Sequence, residues 1–343
     1  MMPSYLGRAS WRISCCATRR LISWVMPPLE ASVNIKNVII FGAAGQQGRP
    51  QVREALRQGY RIRAVSRRLD AFNDPEYKDV QTLSADYDVP ASLEAALEGM
   101  DAVLVQLPSG GNLEHTLGQC ANLSSAIKKS TVRLIVYNTS NWGPDTPCGV
   151  PIYDYVLKFE ETFRATGVPL VIFRPGIFMD NLATPFMKPM FVNEGVYRYP
   201  HTLDAAYDWI CHEDLAKFMI AALQRPDLAG RKIHLGGRER LTTAQVIAIL
   251  SEAIGRPIRY EYITSRKLGE DLYDLTVAGQ GTGGVLAGVT RDEYAADLEA
   301  FYDFVDHSPL KPFQADMKKV LALIPIQMTD MRTWAGRQDW SRT

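Results

Sequence analysis

Three glycines in Gly42-Ala43-Ala44-Gly45-Gln46-Gln47-Gly48 stand directly behind a short apolar run, Lys36 to Phe41, and directly ahead of a helical pattern that stops at Gly59. A chain that turns sharply from strand into helix needs side-chain-free positions at this interval, and the context separates the spacing from a chance match. Such a turn admits a pyrophosphate close to the backbone and presents helix N–H donors to it. The residues expected to hold a dinucleotide here are Gly42, Ala44, Gly45, Gln46, Gln47 and Gly48. A tight turn without a ligand is the plainer alternative.

From Lys36 onward, short apolar runs alternate with helical patterns, which predicts a parallel sheet with crossover helices. Strands are expected at 36–41, 61–65, 80–83, 102–107, 133–137 and 170–173, with helices over about 46–58, 113–129 and 152–165 and one that Pro90 opens. This is an α/β chain with a doubly wound parallel sheet of the Rossmann type. Beyond Arg174 the alternation fades, and helices are expected near 213–224, 243–254, 291–305 and 314–322. Thr242 with Gln245 and Thr290 with Glu293 have the spacing of capping boxes. The expected division is a nucleotide-binding domain over 36–175 and a smaller C-terminal substrate lobe over 176–343, seated on the sheet's carboxyl edge, with segments near 206–237 returning to the first domain. Gly279 to Gly284 reads as a surface connection.

The first 35 residues are set apart by four arginines, several serines and no acid before Glu30. They read either as a transit-like extension or as an upstream start with Met26 as the true beginning, and in both cases as lying outside the fold. The expected location is cytoplasmic, or mitochondrial if that segment is a transit peptide. Lys plus Arg equal Asp plus Glu at 38 each, so no overall field draws the chain to nucleic acid or to an anionic membrane. No apolar run approaches the roughly 20 residues that cross a bilayer. Five cysteines and five histidines lack metal-ligand spacing, so no metal is expected. His234 reads as a satisfied core or edge residue.

The second strand ends in Ser66-Arg67-Arg68. NAD-preferring domains place an acid there, whereas an arginine accommodates the 2′-phosphate of NADP. Arg67 is the first expected contact and Arg68 the second, so NADP(H) is expected in preference to NAD(H). Solvated loop charges are the plainer reading.

The glycine spacing, together with Ser84-Ala85-Asp86-Tyr87, Leu93 to Asp101 and Arg174-Pro175-Gly176-Ile177-Phe178-Met179-Asp180-Asn181, resembles the NmrA-like family of atypical short-chain dehydrogenases/reductases. The resemblance is close from about Asn37 to Gly237 and looser to about Trp334. It implies that Asp86 and Tyr87 lie beside the adenine, Gln106, Leu107 and Pro108 along the middle of the cofactor, and Pro175, Gly176 and Ile177 against the nicotinamide. Asp214 matches a family position as well, although an acid in a helix's first turn needs no ligand.

Ordinary short-chain dehydrogenases use a tyrosine as general acid and a lysine four residues later that tunes it and holds the nicotinamide ribose. Lys158 occupies the lysine position, but Asp154 stands where the tyrosine belongs. Tyr155 shares roughly the helix face of Lys158 and is the candidate substitute acid, while Tyr153 points elsewhere. A surface ion pair between Asp154 and Lys158 is the plainer reading. Ser140 matches the place of a substrate-polarising serine, or is simple turn chemistry.

The resemblance leaves two functions. One is an NADPH-dependent reductase of a quinone, enone or similar small carbonyl compound, in which Lys158 steadies the developing oxyanion. The other is a redox-sensing regulator that binds NAD(P) without turnover and signals to a protein partner. The segment Phe186 to Tyr199 is expected to be core, substrate wall or partner surface.

Overall fold

The computed structural model describes residues 34–108, 111–280, 286 and 288–341. The N-terminal extension up to residue 33 and positions 281–284 of the Gly-rich stretch lie outside the described residues.

Strand β1 (Asn37–Phe41) shows how the sheet is specified. Val38 and Ile40 face one helix layer, Ile39 and Phe41 the other, and all four are buried. A strand buried on both faces must be apolar without alternation, and that is how the run reads. Helix α1 (Gly48–Arg57), β2 (Arg61–Ser66), β3 (Gln81–Ser84), α2 (Pro90–Leu97), β4 (Ala102–Gln106), α3 (Leu113–Lys129), β5 (Leu134–Asn138), α4 (Pro151–Arg164) and β6 (Leu170–Pro175) follow in order. After β7 (Ile177–Phe178), β8 (Val196–Tyr199) and β9 (Ala206–Ile210) come α5 (His212–Ala222) and β10 (Lys232–Leu235).

The main sheet has the order β10-β6-β5-β4-β1-β2-β3, and every pairing in it is parallel. The order reverses between β1 and β4, which opens a crevice at the carboxyl ends of those strands. Helices α1 and α5 cover one face through Val52, Ala55, Leu215 and Phe218. Helices α2, α3 and α4 cover the other through Leu93, Leu123, Phe159 and Phe163.

The chain's second half adds β11 (Arg240–Thr242), α6 (Thr243–Ile254), β12 (Arg259–Tyr262), α7 (Ser265–Gln280), α8 (Arg291–His307), α9 (Met317–Leu323) and α10 (Met331–Ala335). Both capping boxes form, at Thr242 with Gln245 and at Thr290 with Glu293. Strands β11, β9 and β7 make a small sheet, and β8 pairs with β12. Within 206–237, α5 packs on α1 and β10 joins the main sheet beside β6, whereas β9 stays in the small sheet. Met187, Phe191 and Tyr197 are buried in one apolar cluster with Trp209 and Trp334, so these side chains of the Phe186–Tyr199 segment are core, whereas Phe186 is exposed.

Candidate functional site

The glycine turn is built as its spacing demands. Gly42 adopts φ +69°, a left-handed conformation, and a Cβ there would lie 3.0 Å from Gln106 Nε2. Gly45 N–H donates to Gly42 O at 2.9 Å. At Gly48 a Cβ would stand 2.1 Å from Gly42 O and 2.7 Å from Ala43 Cα, so the start of α1 fits under the turn only without a side chain. No acid stands in the first turn of α1 and no side chain caps it, which leaves the positive end of the helix dipole uncompensated.

A cleft of about 520 Å³ runs from this turn across the carboxyl ends of the strands. Gly42, Ala44 and Gly45 line it, as do Arg67 after β2, Asp86 and Tyr87 after β3, Gln106 at the end of β4, and Leu107 and Pro108 after it. Arg67 makes no ion pair among the described residues, whereas the guanidinium of Arg68 lies 3.7 Å from Asp70 Oδ1, on the exposed side. Tyr87 forms the floor: its ring stacks on Phe41 at 5.4 Å between centroids, and its hydroxyl donates to Gln106 O at 3.1 Å. The cleft is completed by Asn112, His115, Thr116 and Gln119 of α3, with His115 Nε2 2.7 Å from Asp88 Oδ1. Sequence reasoning passed over these four. The signal was Asn112, which caps α3 by accepting the His115 N–H and so places that first turn over the crevice.

Gln46 is exposed at the turn, and Gln47 points to the end of β5, where Asn138 Nδ2 donates to its Oε1 at 2.6 Å. Ser140, at φ +59°, is drawn to the same place: its Oγ lies 3.4 Å from Gln47 Oε1. The Pro175–Ile177 bend follows β6. Its Gly176 is required by packing, because a Cβ would meet Asp208 O at 2.7 Å.

The expected acid group is arranged differently from the sequence reading. Tyr155, the candidate substitute acid, donates its hydroxyl to Glu114 Oε2 at 2.7 Å, and that bond to a carboxylate raises its pKa, so it holds its proton more tightly. The Asp154–Lys158 ion pair does not form either. Asp154 instead accepts the N–H groups of Cys148 and Gly149 at 2.8 and 3.1 Å, tying the preceding loop to α4. The Lys158 ammonium, on an exposed side chain, lies 3.9 Å from the centroid of the Tyr155 ring. Tyr153 is fully buried against Trp142 and Phe304. Asp214 serves the fold, accepting from Lys217 Nζ and from the Thr329 N–H.

Beside the site, Arg174 is wholly buried and pairs in a fork with Glu160, at 2.8 and 2.9 Å. Its remaining amine reaches Gly143 O and Asp145 Oδ1, both at 2.9 Å, so one guanidinium fastens the loop that follows Ser140. His234 stands next to it on the edge strand β10 as expected, but its buried Nδ1 has no hydrogen-bond partner among the described residues, so it is not satisfied as the sequence suggested. Burial, and secondarily the Arg174 charge, push its pKa down to about 4. The sign follows from the unfolded state, which takes up a proton near pH 6.5 while the folded state resists until about pH 4. Stability present above pH 6.5 is therefore lost as pH falls through that window. His234→Phe is expected to flatten this loss in urea denaturation series; an unchanged pH slope would count against it.

The model of the NmrA-like family matches residues 34–291. The NAD(P)H azoreductase of Xenophilus azovorans is 27% identical over 259 residues, which span 75% of this chain and 86% of that protein. The crystal structure of the triphenylmethane reductase of Citrobacter sp. with NADP(H) superposes with a TM-score of 0.69 at 18% identity, covering 88% of this chain and 99% of that one. That of NmrA, a negative transcriptional regulator in complex with NAD, gives 0.66 at 19%, covering 89% and 99%. Among the described residues, no helix is long and apolar enough to cross a membrane.

Proposed function

The chain belongs to the NmrA-like family, and from that premise we propose that it binds NADP(H) and acts as a reductase of a quinone, enone or similar conjugated carbonyl compound. The observation that carries the cofactor is the continuous cleft from the Gly42–Gly48 turn to Arg67. The turn has no room for a Cβ at Gly48, and at the far end Arg67, which makes no ion pair among the described residues, would be the partner of a 2′-phosphate. The residues that would hold the dinucleotide are Gly42, Ala44 and Gly45 at the pyrophosphate, Arg67 and Asp86 at the adenosine end, and Gln106 to Pro108 along the middle. Bound there, the cofactor supplies a hydride. NADP(H) is expected to bind more tightly than NAD(H), and Arg67→Ala to remove most of the difference, about tenfold for a lost charge-assisted contact. Equal affinities for the two cofactors in fluorescence titration would refute the preference.

The substrate class follows from what the chain offers for proton transfer. No tyrosine stands at position 154, and Tyr155 is committed to Glu114. A conjugated acceptor spreads the charge it gains, so a hydrogen-bond donor suffices where a simple ketone needs a positioned acid. Ser140 is the donor we assign, with the Lys158 ammonium as the positive charge that would steady the developing oxyanion. The azoreductase and the triphenylmethane reductase, whose names denote conjugated substrates, support this choice.

A second reading is favoured by Asp154 itself. Its carboxylate is spent on two loop N–H groups, an arrangement suited to a redox-sensing regulator that binds NAD(P) and a protein partner without turnover. One assay separates the two: NADPH absorbance followed with a panel of quinones and enones for the native chain, Lys158→Ala and Ser140→Ala. Turnover reduced at least about tenfold in either variant supports the reductase. Tight NADP(H) binding without turnover on any acceptor would establish the regulator instead.

A further inference from the structure

We propose that Asn138 is a positioning residue that couples the cofactor turn to the loop carrying Ser140, acting through Gln47; the inference rests on the cofactor reading above. Strand β5 alternates faces, and Leu134 and Val136 enter the apolar layer beneath α1 and α5. The next position of that row is Asn138, wholly buried. An amide in an apolar row is unfavourable unless both its ends are hydrogen-bonded.

Both are, and to two different functional elements. Asn138 Nδ2 donates to Gln47 Oε1 at 2.6 Å, and Asn138 Oδ1 accepts the Ser140 N–H at 2.9 Å. The second bond closes a turn that holds Ser140 at φ +59°, a region that residues with a Cβ seldom occupy. Ser140 Oγ then faces Gln47 as well, at 3.4 Å. Gln47 immediately precedes α1, yet its side chain caps nothing on its own helix and is turned wholly toward β5. A shift of the turn as it takes a pyrophosphate is therefore transmitted to Ser140, and a substrate that engages Ser140 acts back on the turn, as linkage requires.

The test is a double-mutant cycle read as the NADPH dissociation constant, with melting temperature as the control for folding. Gln47→Ala and Asn138→Ala are each expected to weaken NADPH about three- to tenfold, and the double variant no further than the worse single one. Asn138→Asp is expected to recover most of the affinity lost in Asn138→Ala, because the Gln47 amide can turn its NH2 toward a carboxylate. That conservative rescue also covers the case in which Asn138→Ala does not fold. The cycle then runs with Asn138→Asp and Gln47→Glu, which together set two carboxylates face to face. Their joint effect is expected to exceed the product of the single effects at least about tenfold. Additive effects in a chain that binds NADPH would overturn the coupling alone. A native chain that binds neither NADP(H) nor NAD(H) would overturn the cofactor reading and the coupling together.

Discussion

Gly48→Ala is expected to weaken NADP(H) binding severely while leaving a folded but less stable chain. The added methyl carbon would stand 2.1 Å from Gly42 O and 2.7 Å from Ala43 Cα, and both are backbone atoms that no rotamer change can move. Gly42 O accepts the Gly45 N–H, so relief of the clash must displace the peptide that closes the turn. Overpacking of this kind costs about 1–3 kcal/mol, and more where the backbone has to yield. The melting temperature should fall by roughly 5 °C, and the same displacement should weaken NADPH at least about a hundredfold, because the donors no longer converge. Gly59→Ala is the matched control. Its φ is +82°, but no atom lies within 4 Å of the added carbon, so only the left-handed strain of about 1 kcal/mol applies and cofactor affinity should stay near native. Isothermal titration of the two variants decides the matter: native-like NADPH affinity in Gly48→Ala would show that the turn does not carry the pyrophosphate.

Features set by neighbours in the chain were readable in the sequence. The glycine spacing, the apolar strands and both capping boxes act over a few residues, and α3 has the bounds its periodicity predicts, Leu113–Lys129. Helix α7 has no counterpart among the helices expected from the sequence, although Leu268, Leu272 and Leu275 have helical spacing. The candidate site divides in the same way. Arg67 and Asp86 follow strands, Gln106 ends one, and all three line the cleft as their positions at the carboxyl ends require. Which side chains are already engaged was not readable, since the partners are far apart in sequence. Tyr155 meets Glu114 across 41 residues, and Gln47 meets Asn138 across 91. A helical wheel puts Tyr155 near Lys158 correctly, yet it cannot show that the phenol is held by another helix.

Arg174→Met is expected to destabilise the chain by about 3–5 kcal/mol, the range for removing one partner of a buried ion pair. Arg174 and Glu160 are 0% and 1% exposed, and without the guanidinium the Glu160 carboxylate keeps, among the described residues, only the ion pair with Lys232 at 3.1 Å. A loss of that size is a large part of the roughly 5–15 kcal/mol that holds a typical domain together. Glu160→Gln should cost less, because the amide can still accept from Arg174, while the double variant Arg174→Met/Glu160→Leu should be more stable than Arg174→Met alone, since it leaves no buried charge facing the gap. Guanidinium denaturation of the three variants tests the ranking. A double variant less stable than Arg174→Met would mean that packing and the bonds to Gly143 and Asp145 outweigh the charge pair. The same guanidinium holds Gly143 O at 2.9 Å, three residues beyond Ser140, so the variants also loosen the loop on which the proposed donor stands. Among the variants that remain folded, turnover should therefore fall further in Arg174→Met than in Glu160→Gln, which keeps the loop anchored while weakening the pair. Equal activity in the two would separate the stabilising role of Arg174 from any hold on Ser140.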